Sequence, residues 1–463
     1  MTNTSALQSR AADIVGQDNV LTEPSDCLAY GYDNSRRHGK PAMVLFPTTT
    51  AEVQSIIRLC NEHHLPVITR GRGTGTTGAT VPDNGSIVMS LERMHRIINM
   101  DPGNRAITVE PGVTNAAVQQ VAGEHGFFWP PDPTSAAFCT IGGNLAYNSA
   151  GPRAVKYGTP RENVLQLEAV TGNGDIINTG SYTTKGVVGY DLTRLLIGSE
   201  GTLAVITQAS LRLTPLPQSK TTLQAIYRDI HSAAEAVAAI MAQPETPCAL
   251  EFIDANAIEM IRSYSSAKLP ENAGALLMIE VDGASDAINN AVESIRQAAT
   301  NSGLVEFSIP ATEKEVAALW ATRKALSPAL RNVAPKKINE DVVVPVSNIP
   351  QLITGLDQLA EKYAIKIVNF GHAGNGNIHV NLLVDHKNED EMSRAQQCLS
   401  DVFDLVLSLH GSLSGEHGVG LEKRDYVNRE LDHNSLTLMH AIKSQFDKLG
   451  ILNPGKTLPN TNT

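Results

Sequence analysis

The chain has 463 residues, a soft prior of about three domains or two larger ones, so a small stapled scaffold is excluded. Hydrophobic residues make up 42% and there are 36 glycines, the composition of a folded globular protein and not of a disordered one. Lys and Arg number 37 against 48 Asp and Glu, a net charge of −11 with no basic stripe, which argues against a nucleic acid partner.

Five cysteines (Cys27, Cys60, Cys139, Cys248 and Cys398) lie far apart without a Cys-x-x-Cys pair. That spacing fits a reducing compartment and argues against an iron–sulfur cluster, a zinc ribbon or a disulfide framework. The N-terminal Met-Thr-Asn-Thr-Ser-Ala-Leu-Gln has no basic segment leading into an apolar run. No window reaches the roughly 18 apolar residues that a bilayer span requires. The expectation is a soluble, cytoplasmic protein, with peripheral docking at the inner face of a membrane left open.

In chain order, apolar spacing after Thr48-Thr49-Thr50 predicts a helix over 51–64, and Leu65-Pro66-Val67-Ile68-Thr69 predicts a buried strand. Further strands are expected at Ser86–Leu91, Ala106–Glu110 and Leu165–Val170, and Thr171–Asp175 reads as a hairpin turn into Ile176-Ile177. Pro215 and Pro217 mark a domain boundary. Beyond it the texture alternates: strand Thr222–Tyr227, helix 231–242, strand Ala249–Ile253, then strand Ala275–Glu280, helix 285–302, strand Leu304–Ile309. This predicts two strand–helix units under one antiparallel sheet. A last helix is expected over Leu436–Leu449, stopped by Gly450 and Pro454.

A glycine-rich loop follows the 65–69 strand: Arg70, Gly71, Arg72, Gly73, Thr74, Gly75, Thr76, Thr77 and Gly78. Successive backbone N–H groups in such a loop can turn inward on a pyrophosphate. It has neither the dinucleotide-fold glycine spacing nor the Gly-Lys-Ser/Thr ending of a P-loop. Three more small-residue loops follow in the same half, Pro130–Ser135, Thr140–Asn144 and Gly198–Thr207. Together and in this order they resemble the FAD-binding domain of the vanillyl-alcohol oxidase / p-cresol methylhydroxylase flavoproteins. The resemblance implies FAD, with the first loop around the pyrophosphate and Pro131, Asp132, Pro133, Ser135, Thr140, Gly142, Gly143 and Asn144 along the flavin and adenosine. It implies Glu200, Gly201, Thr202 and Ile206 at the ribityl and adenine end, and adds Gly151, Tyr157, Gly158 and Asn453. The first loop carries no histidine, where covalently flavinylated members often have one, so FAD is expected to be non-covalent.

In the second half, Lys366–His372 and Asn377–Leu383 read as strands around Ala373-Gly374-Asn375-Gly376. Folding back brings His372 near His379, a zinc- or manganese-type arrangement that needs a third ligand, and Gly415-Glu416-His417-Gly418-Val419-Gly420 can supply it. A lone histidine is more often a structural side chain, but these sit in glycine-rich turns that admit a ligand, beside the anionic Glu416.

These two histidine motifs, with Ile451–Lys456, resemble the D-lactate / glycolate / D-2-hydroxyglutarate dehydrogenase branch of that family. Asn375 departs from it, standing where the branch usually has Asp. The resemblance implies an α+β fold: a two-subdomain FAD-binding domain (1–36 and 37–217), a ferredoxin-like antiparallel-sheet cap for substrate (218–430), and a C-terminal segment (431–463) returning to the FAD domain. The expected chemistry is oxidation of a D-2-hydroxy acid, D-lactate first, by hydride transfer to flavin N5. In it His417 is the base, and a divalent metal, Zn or Mn, is held by His372, His379 and Glu416. Trp320-Ala321-Thr322-Arg323-Lys324 resembles the branch's Trp-x-x-Arg block, which makes Arg323 the carboxylate anchor, with Lys336 or Lys337 as a second candidate.

Without cluster cysteines the electrons are expected to leave for a separate acceptor, a quinone, a cytochrome or an electron-transfer flavoprotein. Alternatives are D-2-hydroxyglutarate dehydrogenase, the flavin subunit of a glycolate oxidase, and a non-redox transferase like alkyl-dihydroxyacetonephosphate synthase. A homodimer is left open.

Overall fold

The computed structural model describes residues 4–264 and 270–460, which form two compact units. The first takes in the chain up to Ala150, then Gly158–Leu216 and the described residues from Glu416 on; the second takes in Gly151–Tyr157 and Pro217–Gly415. The chain passes from the first unit to the second again between Leu216 and Pro217. At the other end the expectation of a cap running to 430 differs from the packing: residues 416–430 lie in the first unit. Val419 and Gly420 are bonded there through their backbone N–H groups to Glu200.

Strands β1 (Val20–Leu21), β2 (Met43–Leu45), β3 (Val67–Arg70) and β4 (Ile87–Ser90) make a sheet in the order β1-β2-β4-β3, with β2, β4 and β3 parallel. The helix Thr50–His63 is the crossover from β2 to β3. It begins because Thr49 accepts the Glu52 N–H, and ends where His64 turns left-handed at φ 51°. Its Val53, Ile56, Ile57 and Cys60 bury against Met43, Leu45, Ile87 and Met89.

A second sheet is antiparallel. Strands β5 (Ile97–Asp101), β6 (Ala106–Val109), β8 (Val164–Thr171), β9 (Ile176–Gly180) and β10 (Ala204–Arg212) run in the order β5-β6-β10-β8-β9, while the short β7 (Phe127–Phe128) pairs with β11 (Thr214–Pro215). Alternation divides its side chains: Val170 and Val205 join the core around helix Thr50–His63, and Ala169 and Ile206 join the core with Trp129, Ile141 and Leu145. The chain end returns to this unit, where Val67 donates to Ile451 O at 2.7 Å and Asn453 donates to Val67 O at 2.9 Å.

The second unit is one antiparallel sheet of seven strands: β12 (Ser219–Tyr227), β13 (Ala249–Asp254), β14 (Ala275–Gly283), β15 (Leu304–Ser308), β16 (Lys336–Val343), β17 (Lys366–His372) and β18 (Asn377–Val384). Their order is β15-β12-β14-β13-β17-β18-β16. The expected strand–helix units are present, and β16 is an addition that hydropathy did not mark. Its Lys-Lys-Ile-Asn-Glu-Asp opening is too polar to read as a core strand. The helices Ala255–Tyr264 and Glu313–Val333 cover one face, burying Ile226, Ile253, Leu276, Val368 and Phe370 under Leu319, Leu326 and Leu330. The other face carries helix Ile288–Ala299, to whose last carbonyl, Ala299 O, Tyr227 donates at 2.6 Å. No helix of the described residues is long and apolar enough to cross a membrane.

Candidate active site

In the first unit a cleft opens between the glycine loop and helix Ile141–Tyr147. It is lined by Arg70, Gly71, Thr140, Gly142, Gly143, Glu200, Gly201, Ile206 and Asn453, all expected there, and by Thr69, Ala79, Thr80, Leu91, Pro111, Ala146, Tyr147, Ser199 and Ala204. Its glycines are required by space. A Cβ on Gly71 would run into Thr140 Oγ1, and one on Gly142 would lie 2.7 Å from Pro111 Cβ. Thr140 begins the helix by accepting the Gly143 N–H at 3.3 Å, so the helix N-terminus faces the loop. Small residues bring backbone close to whatever fills this groove.

Several expected residues serve the cleft only indirectly. Arg70 lines it, but its guanidinium donates to the Tyr32 and Ala29 carbonyls at 2.6 and 3.3 Å, tying the loop to the N-terminal segment. Asn453 is used at both ends of its amide, donating to Glu200 O at 2.6 Å and accepting from Thr69 N at 3.2 Å. Arg72, Gly73, Thr74, Gly75, Thr76, Thr77 and Gly78 lie beyond the cleft wall. A Cβ on Gly75 would meet Tyr147 Oη at 2.7 Å, and Leu421 donates to Thr77 O at 2.7 Å, which ties Thr77 to the 417–421 segment. Pro131, Asp132, Pro133 and Ser135 form a neighbouring turn in which Asn115 donates to Pro131 O and Asp132 donates to Ala150 O. Asn144 accepts from Asn115, Thr202 donates to Ser199 O, and neither lines the cleft.

Gly151 and Tyr157 belong to the second unit; Gly158, just past the crossover in the first, does not line this cleft. Tyr157 donates to Asp282 Oδ2 at 2.7 Å, beside the Lys156–Asp282 ion pair, which fixes this short excursion on β14.

Glu200 was expected at the cofactor. It lines the cleft, and its carboxylate also accepts the N–H groups of Val419 at 2.6 Å and Gly420 at 2.8 Å. Burial pushes its carboxyl up, and those two N–H bonds oppose the rise. Thr77 Oγ1 also donates to His417 O at 3.4 Å, so the loop bearing His417 is held from two sides within the first unit. Tyr147, which sequence reasoning missed, wedges against Gly75 and Gly418. Burial, and then the nearby Glu200, push its phenol well above the ordinary range.

In the second unit a polar row crosses one end of the sheet face covered by helix Glu313–Val333. Pairing registers align Glu251 with His372 and Met278, Phe370 with His379, and His379 with Asp341. The His372 and His379 rings are 5.3 Å apart at 82°, with a nitrogen of each within 4.8 Å of the other, and both side chains are buried. The expected hairpin between them closes through Ala373–Asn375, with Gly376 at φ 73°.

Glu251, absent from the sequence reading, stands behind His372: its Oε1 lies 2.5 Å from His372 Nδ1, and its Oε2 accepts from Arg323 Nε at 2.7 Å. Burial alone would push this carboxyl up, but His372 and Arg323 hold it below its usual range. Arg323 is itself buried, its guanidinium carbon 4.9 Å from the Phe370 ring centroid, so it is no solvated helix-face arginine. One helical turn earlier, Trp320 Nε1 donates to Glu280 Oε1 at 2.8 Å. Lys337 lies on β16 opposite Leu383, with the parity of Asn339 and Asp341 and therefore on the face of His379.

Asp341 also fixes the way out of this unit. Gly415 donates its N–H to Asp341 O at 2.9 Å and to Oδ2 at 3.0 Å, and Ser414 Oγ donates to Oδ1 at 3.1 Å. Glu416 is the next residue along the chain.

Two family models match. "FAD binding domain" covers residues 41–180 and "FAD linked oxidases, C-terminal domain" covers residues 216–457. The chain belongs to the FAD-linked oxidase family. Among its relatives, glycolate oxidase subunit GlcD of Bacillus subtilis is 38% identical over 98% of this chain and 97% of its own length. D-lactate dehydrogenase of Archaeoglobus fulgidus is 36% identical over 94% and 96%. Among solved structures, p-cresol methylhydroxylase with substrate bound is similar with TM-score 0.84 at 19% identity, covering 100% of this chain and 98% of that one. That similarity establishes the fold: an FAD-binding domain with a sheet cap.

The family's cofactor fits this chain. The first-unit cleft combines glycines whose Cβ atoms would collide with its walls and a helix N-terminus, the surroundings a pyrophosphate requires. In the second unit the buried imidazole pair, with a carboxylate behind one ring, presents nitrogen donors of the type that metal ions accept.

Proposed function

We propose that the protein oxidises a D-2-hydroxy acid, D-lactate to pyruvate first among them, and passes the electrons to a separate acceptor, a quinone, a cytochrome or an electron-transfer flavoprotein. The observation that carries the reading is the concentration, on one end of one sheet face, of a buried imidazole pair and a buried arginine. An imidazole pair suits a metal that grips a hydroxyl, and a guanidinium suits a carboxylate; a 2-hydroxy acid presents both groups on adjacent carbons. The names of the two relatives, a glycolate oxidase subunit and a D-lactate dehydrogenase, support the same class of substrate.

Non-covalent FAD, when bound, supplies the two-electron acceptor for the C2 hydride, and a bound divalent ion, zinc or manganese, supplies the charge that polarises the C2 hydroxyl. His372, His379 and Glu416 would hold that ion. Arg323, locked through Nε, would hold the substrate carboxylate, with Lys337 as the neighbouring cation. His417 would take the hydroxyl proton at its imidazole. A second reading, the flavin subunit of a glycolate oxidase assembly, rests on the subunit name of the Bacillus subtilis relative.

The test is turnover with a dye acceptor before and after chelation. The reading expects loss of D-lactate oxidation with flavin retained, recovery on returning Zn2+ or Mn2+, and a fall of about 10²–10⁴ in kcat for His417→Ala. Undiminished turnover in metal-free protein would remove the metal from the mechanism, and an active His417→Ala would remove the base.

A further inference from the structure

We infer that Glu251 is a positioning residue that fixes two parts of the proposed site at once, the metal-ligating face of His372 and the carboxylate-binding fork of Arg323. The inference rests on the function proposed above and adds a residue to it.

Glu251 is buried in β13, and its two oxygens are divided, Oε1 to His372 Nδ1 and Oε2 to Arg323 Nε. The partners come from different elements, 121 and 72 residues away along the chain, so the carboxylate is a junction between β17 and helix Glu313–Val333. A carboxylate only accepts hydrogen bonds. Facing Nδ1, it requires that nitrogen to carry the proton, which makes Nε2 the nitrogen with a lone pair for a metal. A carboxylate behind a ligating imidazole both sets the tautomer and strengthens the ligand. On its other side the bond to Nε fixes the plane of the guanidinium, and a planar fork binds a carboxylate well only when it is aimed. The stacking of Arg323 on Phe370, whose backbone is two residues from His372, restricts the same plane from its other face.

Glutamine keeps the shape and breaks this pattern. Its amide can accept from one partner only; turned toward Arg323, it presents an NH2 to Nδ1 and asks for the opposite tautomer, with the proton on Nε2. Glu280 supplies the control. It is a buried carboxylate of the same face that anchors the same helix through Trp320, yet His372 is not among its hydrogen-bond partners.

The experiment measures Zn2+ affinity by chelator competition on the full-length flavin-loaded protein, for the parent, Glu251→Gln, Glu280→Gln and His379→Ala, together with KM and kcat for D-lactate. We expect Glu251→Gln to weaken Zn2+ binding about 10–100-fold and to raise KM, while Glu280→Gln keeps parental affinity. If Glu251→Gln does not fold, Glu251→Asp against Glu280→Asp makes the same comparison, since a shortened carboxylate cannot span both partners. Parental Zn2+ affinity in the Glu251 variant, or equal weakening in the Glu280 variant, would overturn the inference. Should His379→Ala lose the ion while Glu251→Gln retains it, only this inference fails; a parent that binds no Zn2+ overturns it together with the metal in the proposed function.

Discussion

The Glu200 carboxylate accepts the backbone N–H of Val419 at 2.6 Å, so a residue of the 198–202 turn, set at φ 51°, holds the loop that carries His417. A second bond, from Gly420 N at 2.8 Å, uses the other oxygen. The residue has a structural duty toward the proposed base, in addition to lining the cleft.

Glu200→Ala strands two N–H groups, and each buried donor left without an acceptor costs about 1–3 kcal/mol. Chemical denaturation should show a loss of that order, with kcat reduced as well, and Glu200→Gln, which keeps one acceptor, should lose less. A Glu200→Ala protein with parental stability and turnover would mean that water or neighbouring groups satisfy the loop.

Gly71→Ala puts a methyl against Thr140 Oγ1 at the mouth of the first-unit cleft. The backbone must shift to admit it, and backbone position is what a pyrophosphate site depends on. Purified Gly71→Ala should carry less flavin per protein than the parent, read from visible absorbance after desalting. Full flavin content would show that the groove yields without cost.

Asp254 gives a test of the fold through pH. It is fully buried on β13, accepts the N–H groups of Ala257 at 2.8 Å and Asn369 at 2.6 Å, and is pushed up to about 7 by burial against those bonds. An unfolded Asp titrates near 4. With its folded value above its unfolded one, this carboxyl adds stability at low pH that is lost as pH rises through about 7. Asn does not titrate. The stability of the parent minus that of Asp254→Asn, from urea midpoints, should therefore shrink between about pH 5 and about pH 8. A difference that stays flat over that range would place the folded value at or below the unfolded one.

Much of this was legible in the sequence for local reasons. The Thr49 cap and apolar spacing gave the helix Thr50–His63, and the Gly376 turn gave the His372/His379 hairpin. Arg70 and Gly71 of the glycine loop, with Thr140, Gly142 and Gly143, are in the cleft wall because small residues in loops signal close backbone approach. What was not legible depends on partners distant in the chain. Glu251 reads as one acidic residue in an apolar strand until strand order sets it beside His372. The duty of Glu200 appears only when residues 416–420 return to the first unit, and the bond from the Tyr157 hydroxyl to Asp282 appears only when β14 is in place. Strand β16 escaped because its polar, half-buried opening carries no periodic apolar signal.

The most direct measurement is the flavin absorbance of metal-replete protein, anaerobically, as D-lactate, L-lactate, glycolate and D-2-hydroxyglutarate are added in separate experiments. The account predicts bleaching by D-lactate and none by L-lactate, with glycolate or D-2-hydroxyglutarate bleaching instead if the substrate is another member of the class. A bound flavin that none of the four bleaches would contradict the assignment of this chain as a D-2-hydroxy-acid oxidising flavoprotein.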